Sequence, residues 1–194
     1  MRLSCGFCAF DVAKAVANYR TEKPTSETPF ANVQLPATAA LPKPTVVMKT
    51  SLGEITIQLE LDKAPRTVGH FLNYVNSGYY NETIFHQVEN GYALVGGGFT
   101  ADLKEKPTRY TVANEAANGL KNDAGTIAMA RRGDPNSATA QFFINVQDND
   151  FLDHSAPTPQ GWGYCVFGQV VAGMDVVKKI QKGDRVVSAS IEKG

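Results

Sequence analysis

The stretch Ser137-Ala138-Thr139-Ala140-Gln141-Phe142-Phe143-Ile144-Asn145-Val146 holds the residues best placed to do chemistry. Read as a strand, it puts Gln141, Phe143 and Asn145 on one face and Phe142, Ile144 and Val146 on the other. The second set is a plain core face. The first sets an aromatic ring between two amides on what should be the solvent side. There the ring either packs beneath a loop or floors an apolar pocket. A pocket with an aromatic floor and amide donors on its rim suits an extended peptide that holds out an apolar, ring-shaped side chain.

Other chemistries lack their residues. The chain has no H-E-x-x-H, no G-x-S-x-G and no Gly-x4-Gly-Lys-Ser/Thr phosphate loop. Gly96-Gly97-Gly98 runs into Phe99-Thr100 rather than a lysine and a helix, which reads as a sharp bend or a close backbone approach. His70, His86 and His154 share no metal-ligand spacing, and His70 and His86 read as buried, hydrogen-bonded histidines. Cys5 and Cys8 form one C-x-x-C without a second pair, and Cys165 stands alone. These read as incidental thiols, so no metal and no cofactor is expected.

The elements that must position these residues are short. Ile55, Ile57, Leu59 and Leu61 alternate with polar residues as a half-buried strand does, and Val46–Met48 reads as its hairpin partner. Pro65 suits the first turn of a helix that carries Val68, Phe71, Leu72 and Val75 and stops at Gly78. Strands are predicted over Thr83–Val88, Tyr92–Val95, Thr126–Ala130, Gln141–Val146, Tyr164–Val171 and Val186–Ile191, with a second helix over Met174–Gln181. Eight strands that do not alternate with helices argue against a doubly wound sheet and for a closed, eight-stranded antiparallel β-barrel capped by two helices, a mainly β fold. Ahead of it, residues 1–20 read as one short helix. Residues 21–45 hold five of the ten prolines, at Pro24, Pro29, Pro36, Pro42 and Pro44, and read as a linker or surface arm. The expected division is an extension over 1–44 and a barrel domain over 45–194.

Composition excludes further classes. The chain has 194 residues, and its 19 Lys plus Arg balance 19 Asp plus Glu, so nothing pulls it as a whole toward phosphate backbones and no nucleic-acid partner is expected. At 43% hydrophobic and 20% charged it matches ordinary globular chains. No apolar run reaches the ~18 residues of a membrane span. Asp11 and Lys14 interrupt any apolar signal core, so no signal peptide and no membrane attachment are read, and the cytoplasm is the expected compartment.

The blocks Thr83-Ile84-Phe85-His86, Gly96–Phe99, Asn114-Glu115-Ala116, Gly125–Ala130, Ser137–Asn145 and Gly161–Gly168 resemble the cyclophilins, the bacterial type in particular, in order and spacing from Thr45 to Ile191. The resemblance implies the barrel, and a peptidyl-prolyl cis–trans isomerase that acts on proline-containing peptides or unfolded proteins as a monomer. It implies Phe143 as the floor of a proline pocket, Leu152 as its aliphatic wall and Gln141 as a ligand of substrate backbone. Ala130 and Arg131 would receive the peptide through main-chain groups, and Tyr164 stands where many eukaryotic members carry histidine. Phe151 replaces the tryptophan of cyclosporin-sensitive members, which implies weak cyclosporin binding. Trp162 belongs to a separate loop motif.

The family pattern also implies an arginine after Phe-His, as catalytic donor, where this chain has Gln87. It implies an aromatic, a methionine, a variable residue and a glutamine where this chain has Tyr92-Ala93-Leu94-Val95. Tyr92 keeps a ring, Ala93 shortens the pocket wall, and Val95 has no side-chain hydrogen bond to give. Gln87, Gln141 and Phe143 are therefore the expected catalytic set, with turnover well below that of an arginine-bearing relative. Arg131 and Arg132 read as solvated loop cations. A proline-peptide binding module with decayed catalysis is the alternative, and a scaffold that docks its proline-rich arm is a third reading.

Overall fold

The computed structural model describes residues 43–89 and 91–192. The helix expected over 1–20, the Cys5/Cys8 pair and most of the segment 21–45 lie outside the described residues.

The predicted first hairpin forms. β1 (Thr45–Thr50) and β2 (Gly53–Leu59) pair antiparallel with Thr50 opposite Gly53. Because strand side chains alternate between faces, Val46, Met48, Ile55, Ile57 and Leu59 all point inward and are fully buried. Leu61, expected on the same face, lies beyond the strand in the turn before the first helix.

That helix, α1 (Pro65–Asn76), has proline in its first turn and buries Val68, Phe71, Leu72 and Val75. Its N-cap residue offers no side-chain bond. The Glu115 carboxylate does so from far along the chain, accepting from the Arg66 and Thr67 N–H groups at 3.2 and 2.8 Å and from the Thr67 hydroxyl at 2.8 Å. An anion there satisfies two free donors and meets the positive end of the helix. α2 (Met174–Val177) is shorter than predicted. Past Val177 the chain tightens into three-residue bonds, Lys179 N–H to the Val176 carbonyl and Ile180 N–H to that of Val177, and Ile180 still buries. α1 lies against β10 (Arg185–Ile191), and α2 against β2.

β3 (Thr83–Ile84), β4 (Gln87–Glu89), β5 (Ala93–Gly96), β6 (Phe99–Thr100), β7 (Thr126–Met129), β8 (Phe142–Asn145) and β9 (Val166–Ala172) complete one curled antiparallel sheet. Its order is β4-β5-β8-β7-β9-β2-β1-β10-β3-β6. The described residues thus hold ten hydrogen-bonded strands where eight were expected. The two extra segments come from one bent hairpin. The strand predicted over Thr83–Val88 breaks at Phe85-His86. In an unbroken strand Phe85 and Gln87 would share a face, yet Phe85 is fully buried and Gln87 exposed. The hairpin's base pairs with β10 and its tip with β8. On the returning strand Gly97 adopts φ +79°, and an added Cβ would lie 2.7 Å from the Phe142 ring. One at Gly98 would lie 2.5 Å from Gln141 Cγ. This is the bend and close approach expected of the three glycines.

The core is built largely of rings. Phe71 packs against Tyr80 and Phe167 with centroids 5.1 and 5.0 Å apart, and Tyr80 meets the Phe142 ring edge-on at 5.5 Å. His70 is buried beneath Tyr74 and bonds the Thr139 carbonyl, as expected. His86 departs from that expectation. Its ring is only half-buried, against Phe99 at 4.5 Å, and its buried Nδ1 has no hydrogen-bond partner.

Candidate active site

The face of β8 assigned to solvent is not a solvent face. Phe143 is 5% exposed and Asn145 is fully buried, so all four strand residues are enclosed. The cause is a second apolar cluster outside the ring-lined core. Ala93 of β5, Ala128 of β7, Phe143 of β8 and Val166 of β9 form its buried centre, and Tyr92, Val95, Leu120, Ala130, Leu152 and Tyr164 pack around them partly exposed. Pairing register explains the gathering. Gln87 lies opposite Val95, Val95 opposite Phe143, Phe143 opposite Ala128, and Ala128 opposite Val166, so one row crosses five strands with side chains to one side.

The rim comes from loops. Tyr164 stands edge-on to Phe143 with centroids 5.5 Å apart and planes at 82°. Its N–H donates to the Leu152 carbonyl at 2.9 Å, which ties Leu152 to the same wall. Leu152 and Phe151 sit on a 3-10 turn over Asp150–Leu152. Phe151 stays 73% exposed and stacks on Tyr92 at 5.6 Å, with planes 16° apart.

Beneath the rim runs a buried polar network that the sequence reading missed. Asn145 Nδ2 donates to the Thr126 hydroxyl at 2.9 Å and to Asn122 Oδ1 at 3.3 Å. Asn149 Nδ2 donates to Asn145 Oδ1 at 2.8 Å and to the Tyr92 carbonyl at 3.2 Å. Asn122 donates through its main-chain and side-chain nitrogens to Asp153 Oδ1 at 2.8 and 2.9 Å, and Lys121 lies 3.1 Å from Asp153 Oδ2. Burial alone would raise the Asp153 carboxyl, but the Asn122 bonds and the Lys121 ammonium outweigh it and hold it below the usual carboxylate range. The network fixes the turn that carries Phe151 and Leu152 to Tyr92, in the turn just ahead of β5. Its only trace in the sequence is an excess of Asn and Asp in two turns.

Next to the cluster lies a more polar groove of about 350 Å³, lined by Gln141, Ala130, Ser137 and Thr139, with Glu105 and Arg132 at its edge. Ala130 N–H donates to the Gln141 carbonyl at 2.9 Å, so main chain from both residues lies where the cluster meets the groove. Arg132 is the solvated cation expected, paired loosely with Glu105 at 3.5 Å. Arg131 is not. Its guanidinium lies over the Tyr164 ring, 4.8 Å from the centroid, and bonds to main-chain carbonyls.

The structure therefore brings together Tyr92, Ala93, Val95, Ala130, Phe143, Leu152 and Tyr164. Gln141 and Arg131 border the cluster, and Phe151 touches it through Tyr92. Gln87 stands apart. It keeps its place in the row but is exposed, and its Nε2 donates to Glu89 Oε1 at 3.2 Å. Two strand spacings, about 10 Å, separate it from Phe143 across Val95.

Residues 45–193 match the family described as cyclophilin type peptidyl-prolyl cis-trans isomerase/CLD. The chain is 58% identical over 136 residues to peptidyl-prolyl cis-trans isomerase B of Escherichia coli K12, covering 70% of this chain and 83% of that protein. It is 56% identical over 137 residues to peptidyl-prolyl cis-trans isomerase cyp18 of Streptomyces antibioticus, covering 71% and 82%. In fold it is similar to a cyclophilin type peptidyl-prolyl cis-trans isomerase of Cryptosporidium parvum, solved in the presence of the dipeptide Ala-Pro. There the TM-score is 0.65 and the identity 23%, over 77% of this chain and 99% of that one.

Proposed function

The chain belongs to the cyclophilin-type peptidyl-prolyl cis-trans isomerase family, and on that premise we propose that it isomerises X–Pro bonds of peptides and unfolded proteins, at a rate limited by a neutral donor. The barrier to amide rotation is ~18–20 kcal/mol and comes from resonance. Rotation out of plane returns the lone pair to the proline nitrogen. A donor aimed at that nitrogen therefore stabilises the twisted state more than either planar isomer. No nucleophile, metal or cofactor is required.

The observation that carries this reading is the packing of Tyr92, Phe143, Leu152 and Tyr164 in one apolar cluster at the surface, with the Ala130 and Gln141 main chain alongside. With Phe143 only 5% exposed, a pyrrolidine ring reaches it when the loop side chains Leu152 and Tyr164 part, while the preceding residues run over Ala130 and Arg131 toward Gln141. Gln87 is the proposed donor in place of arginine, and it must leave Glu89 to act. Hydrogen bonds from charged donors contribute roughly 1.5–3 kcal/mol, and from neutral ones about 0.5–1.5. Loss of a preorganised transition-state donor costs ~10²–10³ in rate. Phe151 in place of tryptophan supports weak cyclosporin binding. The bent hairpin, bonded to β10 at its base and to β8 at its tip, supports a barrel closed through that hairpin.

The Gln87–Glu89 bond and the apolar Val95 beside it favour one second reading, a proline-peptide binding module without useful turnover. Exchange spectroscopy on a short Ala-Pro peptide separates the two. Faster cis–trans exchange supports the isomerase. Peptide signals that shift on titration without faster exchange leave only the binding module.

A further inference from the structure

We propose that Arg131 is a positioning residue: its side chain holds the Tyr164 ring against Phe143 and so sets the shape of the apolar cluster that takes the proline ring. The proposal rests on the reading of that cluster given above. The guanidinium is committed to main chain on two loops. Nε donates to the Gly163 carbonyl at 2.9 Å and Nη2 to that of Pro159 at 3.1 Å. Nη1 donates to the Arg132 carbonyl at 3.0 Å and reaches the Gly133 carbonyl at 3.4 Å. The loop leading toward β8 and the loop leading into β9 are thereby tied by one planar fork, a shape that an ammonium group cannot copy.

The same fork covers the face of the Tyr164 ring, whose other neighbour is the Phe143 ring at 5.5 Å. The backbone around Tyr164 is already pinned. Its N–H is held by Leu152, and the Gly163 carbonyl also accepts from Asn114 Nδ2 at 3.1 Å. Gly163 adopts φ +73°, and an added Cβ would meet the Asp153 main chain at 2.6 Å. What the backbone leaves free is rotation of the ring itself, and the cation over its face opposes that rotation. Arg132, next in the chain, has a side chain 83% exposed and turns to Glu105 instead, so the effect belongs to position 131 and not to local positive charge. With its donors turned to carbonyls, Arg131 does not stand in as the donor to the twisted amide.

The test is a double-mutant cycle read as affinity for an Ala-Pro peptide by NMR shift titration, which does not depend on turnover. Arg131→Met should weaken binding about fivefold with Tyr164 present and by less than about twofold in a Tyr164→Ala background. Arg131→Lys, which keeps the charge but not the fork, should recover only part of the loss. Equal losses in both backgrounds, or unchanged binding in Tyr164→Ala alone, overturn the proposal while the proline-pocket reading stands. If Arg131→Met does not fold, the lysine variant carries the cycle; if neither folds, Arg131 serves the fold and the proposal is wrong. Absence of peptide binding by the natural chain removes the functional reading and this inference together.

Discussion

The two faces of β8 are built from neighbouring residues and close in different ways. Phe142 packs against the rings of Phe71 on α1 and of Tyr80 and Phe85 just downstream, and Phe142 and Ile144 are both fully buried. Phe143 faces small side chains on the adjoining strands and is covered at its edges by residues on loops, several of them half-exposed. The first face is closed by rings that are themselves fully buried, and the second by loop side chains that stay partly exposed. A face closed by loops can remain nearly shut at rest and still admit a ring, because loop side chains move at lower cost than strands.

The sharpest break in that comparison is a pair of truncations. Phe142→Ala should cost about 3–5 kcal/mol in urea unfolding, since it opens a cavity that the surrounding rings cannot fill. Phe143→Ala should cost about half as much and should abolish saturable peptide binding. Equal costs would mean that both faces are structural. Asn149→Ala should come next. It strands Asn145 Oδ1, about 1–3 kcal/mol of lost satisfaction, leaves the Tyr92 carbonyl with the Val146 N–H alone, and should also weaken peptide binding by loosening the Phe151-Leu152 turn. Gln87→Arg then sharpens the comparison from the catalytic side. Turnover by exchange spectroscopy should rise at least about tenfold with stability unchanged. A flat result places the defect elsewhere, with Ala93 first in line.

Acid should act on the loop-closed face. Asp153 sits below the usual carboxylate range in the native state, so the unfolded chain binds more protons between that depressed value and about 3.9. Its contribution is complete above this window and is lost as pH falls through it. Asp153→Asn should flatten that part of a stability–pH curve. His86, held below the ordinary imidazole value chiefly by burial and then by Lys182, adds a separate decline as pH drops below about 6.5. The smallest expected effect is at Cys165. Burial pushes its thiol up to about 11, so iodoacetamide at neutral pH should leave it unmodified in the folded protein and label it in urea.

Legibility in the sequence followed how local each cause was. The β2 alternation and the apolar stripe of α1 are local patterns, and both elements form close to where they were predicted. β8 was legible as a strand but not in which face meets water, because the cover over Phe143 comes from Leu152 and Tyr164, well downstream. The break at His86 was not legible either. It reflects bonds from Phe85 to Asp184 and Gly183, nearly a hundred residues away. Of the site, the apolar members were identified from the family resemblance, and the structure gathers them. Arg131 was misread as solvated because backbone carbonyls leave no mark in a sequence. Asn122, Asn149 and Asp153 went unnoticed because amides in turns usually serve the turn alone.

The cap on α1 bears on how the chain acquires its structure. The helix leaves the ribosome well before Glu115, the residue that quenches its leading N–H groups. Until the segment around Glu115 docks, those donors are hydrated and the first turn frays. The helix is thus completed by a contact 48 to 49 residues away in sequence, which we expect to form after the main folding barrier. Glu115→Gln should accordingly hasten unfolding in stopped-flow traces while barely changing the refolding limb.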